Sequence, residues 1–329
     1  MKTLMILPGY GSLTVMPNRT TGHFLALAVK RLAHRFNIQV RRHSNVAPVD
    51  LTRHLDLSPR EAAYLAGARP ALVRVSTSRC IHMLYLASQC DKQSTSPFVA
   101  TLLDYARGVH KTYHGSKLEM FYRLFQPANG AELMGFPSGA NTMLAACSAH
   151  GAPKFFFLNQ PANWPSENLK YRQRMIEVEN RLHGARLGHE AGWSFYGPVS
   201  EKKGALEFKR LVAVYNHMKQ RGFYADPTGL DNITGFWLCR NNSEWRLYGS
   251  GGQHRLAAAA ALGISDIVVQ IEPLATGGVI DRSDVDCWPL VKKGEITPSQ
   301  AISLFDRIYA GKPPDAAGKW MRYLASLPE

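Results

Sequence analysis

The chain has 329 residues, 45% of them hydrophobic and 19% charged, a globular composition that excludes a disordered or fibrous protein and leaves room for two domains. Its formal net charge of +14 at pH 7 asks for an acidic partner, be it nucleotide, nucleic acid, anionic lipid or acidic glycan, unless it only reflects an arginine-rich genome. Five scattered cysteines without a C-x-x-C pair argue against a structural zinc or a secreted disulfide scaffold. The apolar run before Pro8 is too short for a signal peptide, and no stretch reaches membrane-span length, so a cytoplasmic location is expected.

In chain order, residues 3–7 predict a buried strand followed by the turn Pro8-Gly9-Tyr10-Gly11, which lacks the third glycine of a dinucleotide fingerprint. Residues 22–36 predict an amphipathic helix with Phe24, Leu25, Ala28, Val29, Leu32 and Phe36 on one side. Its other side carries Lys30, Arg31, His34 and Arg35, a face suited to solvent or to peripheral contact with anionic lipid. A strand over 36–40 completes a strand–helix–strand unit. Ser58-Pro-Arg-Glu61 is a capping box opening a short helix. Residues 69–76 read as a strand, 80–89 as a helix and 97–113 as a further helix. The aromatic residues Tyr113, Phe121, Tyr122 and Phe125 stand at core-forming helical spacing, and Gln126-Pro-Ala-Asn-Gly130 breaks that segment.

Residues 152–158 predict a strand and 166–183 a polar amphipathic helix, with Leu169, Met175, Ile176, Val178 and Leu182 inward and Gly184 closing it. After a glycine- and aromatic-rich loop, a helix spans 201–221 with Leu206, Leu211, Val214, Tyr215 and Met218 on its apolar side. Strands over 233–239 and 244–248 are joined by the turn Arg240-Asn-Asn-Ser243. A glycine turn, Gly249-Ser-Gly-Gly252, then leads through Gln253-His254-Arg255 into an alanine-rich helix that stops at Gly263, followed by a strand over 267–271. Glycines allow the tight turn, the alanines favour helix, and the first turn of such a helix offers backbone N–H groups and a positive dipole end to a phosphate. Trp288-Pro289 reads as a packing anchor, Thr297-Pro-Ser-Gln300 as a helix start, and the last residues as a short basic tail.

Gly252, His254, Arg255, the alanines 257–260, Leu262 and Gly263 resemble the nucleotide-handling motif of the ParB/sulfiredoxin superfamily, which includes sulfiredoxins, chromosome-partitioning CTPases and free-serine kinases. The order helix, two strands, Gly-x-His-Arg turn, helix, strand extends the likeness over 195–273. The resemblance implies an α/β (α+β) protein with an N-terminal α/β portion over 1–189, a ParB/sulfiredoxin-like nucleotide-binding domain over 190–290 and a helical extension over 291–329. It also implies phosphate binding by Gly251, Gly252, Gln253, His254 and Arg255, with Lys202 and Lys203 closing the pocket. The residue readings beside it are a capping His254, a surface ion pair for Arg255 and solvated lysines. In the superfamily's serine kinases a glutamate before the first helix acts as general base, and Glu201 stands in a comparable place, with Glu207 in reserve. Glu201 also reads as a first-turn acid complementing the helix dipole.

Two departures bear on the chemistry. Sulfiredoxins carry a catalytic cysteine where this chain has Gln253, which removes sulfinic-acid repair. The kinases have an acid before the glycine, where this chain has Gly251. Gly192-Trp193, Tyr196-Gly-Pro-Val-Ser200, Gly252-Gln-His-Arg255 and Trp288-Pro289 are also similar to ParB-like proteins of bacterial surface-polysaccharide loci. The leading expectation is an ATP-dependent phosphotransferase using Mg²⁺ and acting on a small hydroxylated acceptor such as a sugar or glycan precursor. Two alternatives stay open: a DNA-binding, partition-like protein with a nucleotide switch, which lacks a recognisable helix-turn-helix after the motif, and a nucleotide or glycan sensor without turnover. Oligomeric state is not legible.

Overall fold

The computed structural model describes residues 5–6, 13–14, 47–54, 57–137, 142–226, 232–241, 243–273 and 278–327. The expected helix over 22–36 and strand over 36–40 lie outside the described residues. Of the expected first strand, β1 (Met5–Ile6) pairs antiparallel with β2 (Leu13–Thr14).

The molecule is mixed α/β, built on one eight-stranded sheet. Its strands are β3 (Val49–Asp50), β4 (Ala71–Ser76), β5 (Cys80–His82), β6 (Ser88–Gln89), β7 (Ile233–Cys239), β8 (Trp245–Gly251), β9 (Asp266–Ile271) and β10 (Val279–Asp281). The spatial order is β3-β4-β9-β7-β8-β5-β6, with β10 pairing the second half of β7. β7 and β8 form the expected antiparallel hairpin, β9 runs parallel to β7, and β5 runs parallel to β8. β4 and β9 pair antiparallel from Ala71 opposite Ile271 to Ser76 opposite Asp266. Strands from both sides of residue 190 therefore share one sheet and one hydrophobic core, so the expected boundary at 189/190 runs through a common structural unit.

The helices are α1 (Pro59–Ala66), α2 (Pro97–Arg107), α3 (Lys117–Leu124), α4 (Gly130–Met134), α5 (Thr142–Ala146), α6 (Trp164–Leu182), α7 (Glu201–Arg221), α8 (Gln253–Leu262), α9 (Pro289–Lys292), α10 (Pro298–Tyr309) and α11 (Gly318–Ala325). Their starts follow from local chemistry. Ser58 and Glu61 satisfy each other's backbone N–H groups before α1, and Thr297 and Gln300 do so before α10. α8 is flanked by left-handed glycines, Gly252 and Gly263. Ala257 to Ala261 are all buried, and their small side chains let α8 pack between α2 and α7.

Four segments depart from the sequence reading. Residues 80–89 are not a helix: Cys80 and Ile81 pair with Leu247 and Tyr248, and Met83, Leu84 and Ala87 have positive φ. A short, mostly apolar run does not reveal its period, and the free edge of β8 takes Cys80 and Ile81 as a strand. Residues 152–158 form no strand; Phe155 and Phe157 instead lie over Phe236 and Tyr248, covering the sheet face rather than extending its edge. α6 buries Trp164, Arg172, Ile176 and Asn180, so of the five expected inward residues only Ile176 is fully inside, and Met175 is exposed. The expected tail is a helix, α11, held by the buried Trp320. Trp288 is the anchor it reads as, packed on Phe156 and Phe305. No helix of the described residues is long and apolar enough to cross a membrane.

Candidate functional site

The expected turn over 249–252 narrows to one residue. Gly249, Ser250 and Gly251 belong to β8, and only Gly252, at φ 71° and ψ 30°, turns the chain into α8. A Cβ on Gly252 would sit 3.0 Å from the Ile233 Cα, and one on Gly249 would meet Leu256 at 2.6 Å, so glycine is needed for the conformation at one position and the close helix-on-strand approach at the other. The first bonds of α8 run from the N–H groups of Arg255 and Leu256 to the Gly252 carbonyl. Among the described residues the N–H groups of Gln253 and His254 have no backbone acceptor, which leaves them available at the positive end of the helix.

The side chains of this turn do not converge on one point. Gln253 is buried: its Oε1 accepts from the Met83 N–H at 2.8 Å and its Nε2 donates to the Gly249 carbonyl at 3.0 Å, tying β5 to β8. His254 stacks on Phe98 with centroids 4.8 Å apart, and its Nε2 lies 3.3 Å from Oε2 of Glu207. Arg255 donates to the Tyr224 carbonyl and lies 5.5 Å from the Phe223 ring, beyond the C-terminal end of α7.

Glu207, the reserve candidate, is the carboxylate that faces the motif. It is buried within a charged cluster joining α6, α7 and α8. Lys203 Nζ lies 2.6 Å from Glu207 Oε1 and 2.7 Å from Asn180 Oδ1, and Arg210 forks onto Glu207 at 2.8 and 3.0 Å while reaching Glu179 at 2.9 Å. Burial alone would raise the Glu207 carboxyl, but His254, Arg210 and Lys203 outweigh it and hold it below the ordinary carboxylate range. Glu201 and Lys202, by contrast, are exposed in the first turn of α7, which Ser200 caps. Arg255 docks beyond the opposite end of that 21-residue helix, about 30 Å long at 1.5 Å per residue. The structure therefore does not bring Glu201 and Arg255 together. Lys202 instead lines an open cleft of 460 Å³ with Arg186, Leu187, Leu206 and Lys209.

Sequence reasoning missed Arg210 as a partner of Glu207, and Asn180 and Glu179 as the further partners of Lys203 and Arg210. The i, i+4 and i, i+3 spacing of Lys203, Glu207 and Arg210 was the available signal, but it reads equally as a solvated stripe. Lys154 was also missed, having no motif around it. Its Nζ lies 3.3 Å from the Ser250 carbonyl, on the strand that leads into Gly252.

His82 lies one residue before Met83, fully buried, with neither ring nitrogen hydrogen-bonded among the described residues. Burial pushes it down to about 3, from the ordinary 6.5. The unfolded chain takes up this proton near pH 6.5 and the folded chain does not, so stability falls as pH drops from 6.5 toward 4, by about 1.4 kcal/mol per pH unit from this group. Thermal unfolding followed across that window should show the loss, and His82→Leu should flatten the slope by one proton. An unchanged slope would mean that His82 is protonated inside the fold.

Comparison with known proteins gives no match: no family model fits the chain, and neither a curated protein nor a solved structure matches it. Among the described residues no group of three or more His, Cys, Asp or Glu is placed to hold a metal ion. A magnesium ion carried by a triphosphate needs no such cage, because phosphate oxygens and water supply most of its ligands.

Proposed function

We propose that the chain binds the phosphates of a nucleotide at the first turn of α8 and transfers the terminal phosphoryl group of ATP to a small hydroxylated acceptor, a sugar or glycan precursor. The observation that carries this reading is the pair of N–H groups, of Gln253 and His254, left without backbone acceptors directly after a left-handed glycine at the end of β8. The side chains beneath are fixed by Met83, Phe98 and Glu207, so the turn is preorganised and binding need not pay to order it. The resemblance to ParB/sulfiredoxin-like motifs supports a nucleotide in particular, with Arg255 close enough in sequence to reach its phosphates from Tyr224. Magnesium would arrive with the triphosphate.

Thermal-shift and calorimetric titration with ATP, ADP, CTP and GTP plus magnesium test this. ATP should raise the unfolding midpoint, and Arg255→Ala should weaken ATP binding tenfold or more while leaving the unliganded midpoint unchanged. The absence of a shift with any of the four nucleotides would sink the proposal. A second reading, DNA binding with a nucleotide switch, draws on the cleft lined by Arg186, Lys202 and Lys209. It requires duplex affinity that falls steeply with salt.

A further inference from the structure

A second polar set stands at the same end of β8 but on the other face of the sheet. Gly249 faces Leu256 of α8, so strand alternation turns Tyr248 and Ser250 away from that helix. On their side Phe155 packs against Tyr248 and Phe236, with centroids 5.7 and 5.1 Å away. At the edge of this aromatic layer Ser250 Oγ and Thr234 Oγ1 are 2.8 Å apart. Lys154 reaches the same edge: its amine lies 3.3 Å from the Ser250 carbonyl and 5.1 Å from the Phe155 ring centroid. Ser250 is three residues before Gln253 and four before His254, so the amine and the free N–H groups of α8 flank about 14 Å of chain at most.

Glu272 is the first residue after β9, its N–H bonded to the Gly235 carbonyl at 3.2 Å. Its carboxylate has no hydrogen-bond or ion-pair partner among the described residues, and it is close enough to Lys154 for each to act on the other's charge. Burial raises the Glu272 carboxyl, with Lys154 pulling the other way. Although Lys154 is exposed as a residue, desolvation of its amine, reinforced by the charge of Arg172, lowers it to about 8. Both groups are thus held closer to neutrality than usual, a state suited to proton transfer and to gaining strongly from a phosphate. Nearby, the hydroxyls of Tyr85 and Tyr248 are buried without a hydrogen-bond partner among the described residues.

We propose that the acceptor binds at this edge of the aromatic layer, with Lys154 binding the phosphoryl group in transfer and Glu272 taking the proton of the attacking hydroxyl. The inference rests on the nucleotide reading given above. The acceptor oxygen bonds to the γ-phosphorus as the bond from that phosphorus to the β,γ-bridging oxygen breaks. ADP leaves with the electron pair, and the hydroxyl proton passes to the Glu272 carboxylate. Glu272 thereby fills the role for which Glu201, exposed at the far end of α7, is poorly placed.

The test compares wild type, Lys154→Met, Lys154→Arg and Glu272→Gln. Lys154→Met should weaken ATP tenfold or more and ADP less, while Lys154→Arg stays within a few-fold of wild type. Glu272→Gln should bind ATP as well as wild type or better, yet abolish the ADP release that wild type shows with MgATP and excess glycerol. Equal ATP affinity in wild type and Lys154→Met overturns the inference and leaves nucleotide binding standing, whereas a wild type that binds no nucleotide removes both. Wild-type ADP release at the buffer level despite ATP binding overturns the transfer step, and a tenfold loss of ATP affinity in Glu272→Gln overturns the role as base. If Lys154→Met does not fold, trinitrobenzenesulfonate labelling of wild type decides: ATP should protect Lys154 and not the exposed Lys170, and unprotected labelling overturns the inference.

Discussion

Replacing Glu207 by alanine is expected to cost about 3–5 kcal/mol of folding stability, because it strands buried cations without their anion. Lys203 is fully buried, and Glu207 supplies its closest charge at 2.6 Å. Arg210 keeps Glu179, but Lys203 keeps only the amide of Asn180, too weak a partner to hold an ammonium away from water. The double variant Glu207→Leu with Lys203→Met removes both charges and should recover much of the loss, since the intact pair stabilises little once its desolvation is counted. Urea denaturation of the three proteins measures this. A single-variant cost below about 1 kcal/mol would place the cluster in the class of solvated pairs and contradict its burial. The pH dependence has a definite sign. The folded carboxyl lies below its ordinary value of 4.5, so the contribution of Glu207 is present above pH 4.5 and is lost as pH falls below it.

Trp320→Ala is expected to cost a similar amount, about 3–5 kcal/mol, the usual range for truncating a buried tryptophan. The ring is fully buried, meets Phe121 edge-on at 5.4 Å, and donates its Nε1–H to the Thr95 carbonyl at 2.9 Å. The variant opens a cavity where α11 packs on α3 and also orphans a backbone acceptor. Trp320→Phe keeps most of the volume and loses the hydrogen bond, so it should fall between the two. Thermal and urea unfolding give the comparison; a loss under about 1 kcal/mol for Trp320→Ala would show that α11 docks too loosely to matter.

Where the sequence reading succeeded, one local signal decided the outcome. Capping side chains marked the starts of α1 and α10, paired glycines marked both ends of α8, and turn residues marked the connection of β7 to β8. It failed where distant partners decide. Nothing local tells that Cys80 and Ile81 will lie beside Leu247 and Tyr248, or that Phe155 will cover a sheet face instead of joining an edge. The glycine turn at the candidate site was legible as a motif, but the directions of its side chains were not. Whether His254 points at Glu207 or outward depends on α7 and Phe98, which come from other parts of the chain. Lys154 shows the limit most clearly: an isolated lysine before three phenylalanines becomes a neighbour of Ser250 only through the packing of those rings.

The pairing of β4 with β9 bears on how the molecule is made. β4 and β5 leave the ribosome early, yet the strands they join, β9 and β8, come from the last third of the chain. Until those arrive, two apolar strands wait with open ladders, a state prone to intermolecular pairing. Closing the sheet then means joining remote segments, which makes for slow assembly. A fragment beginning at residue 190 would inherit the mirror problem, with β9 and β8 each lacking the neighbour that covers its edge. The candidate site, carried on β8, therefore comes into being only with the whole fold.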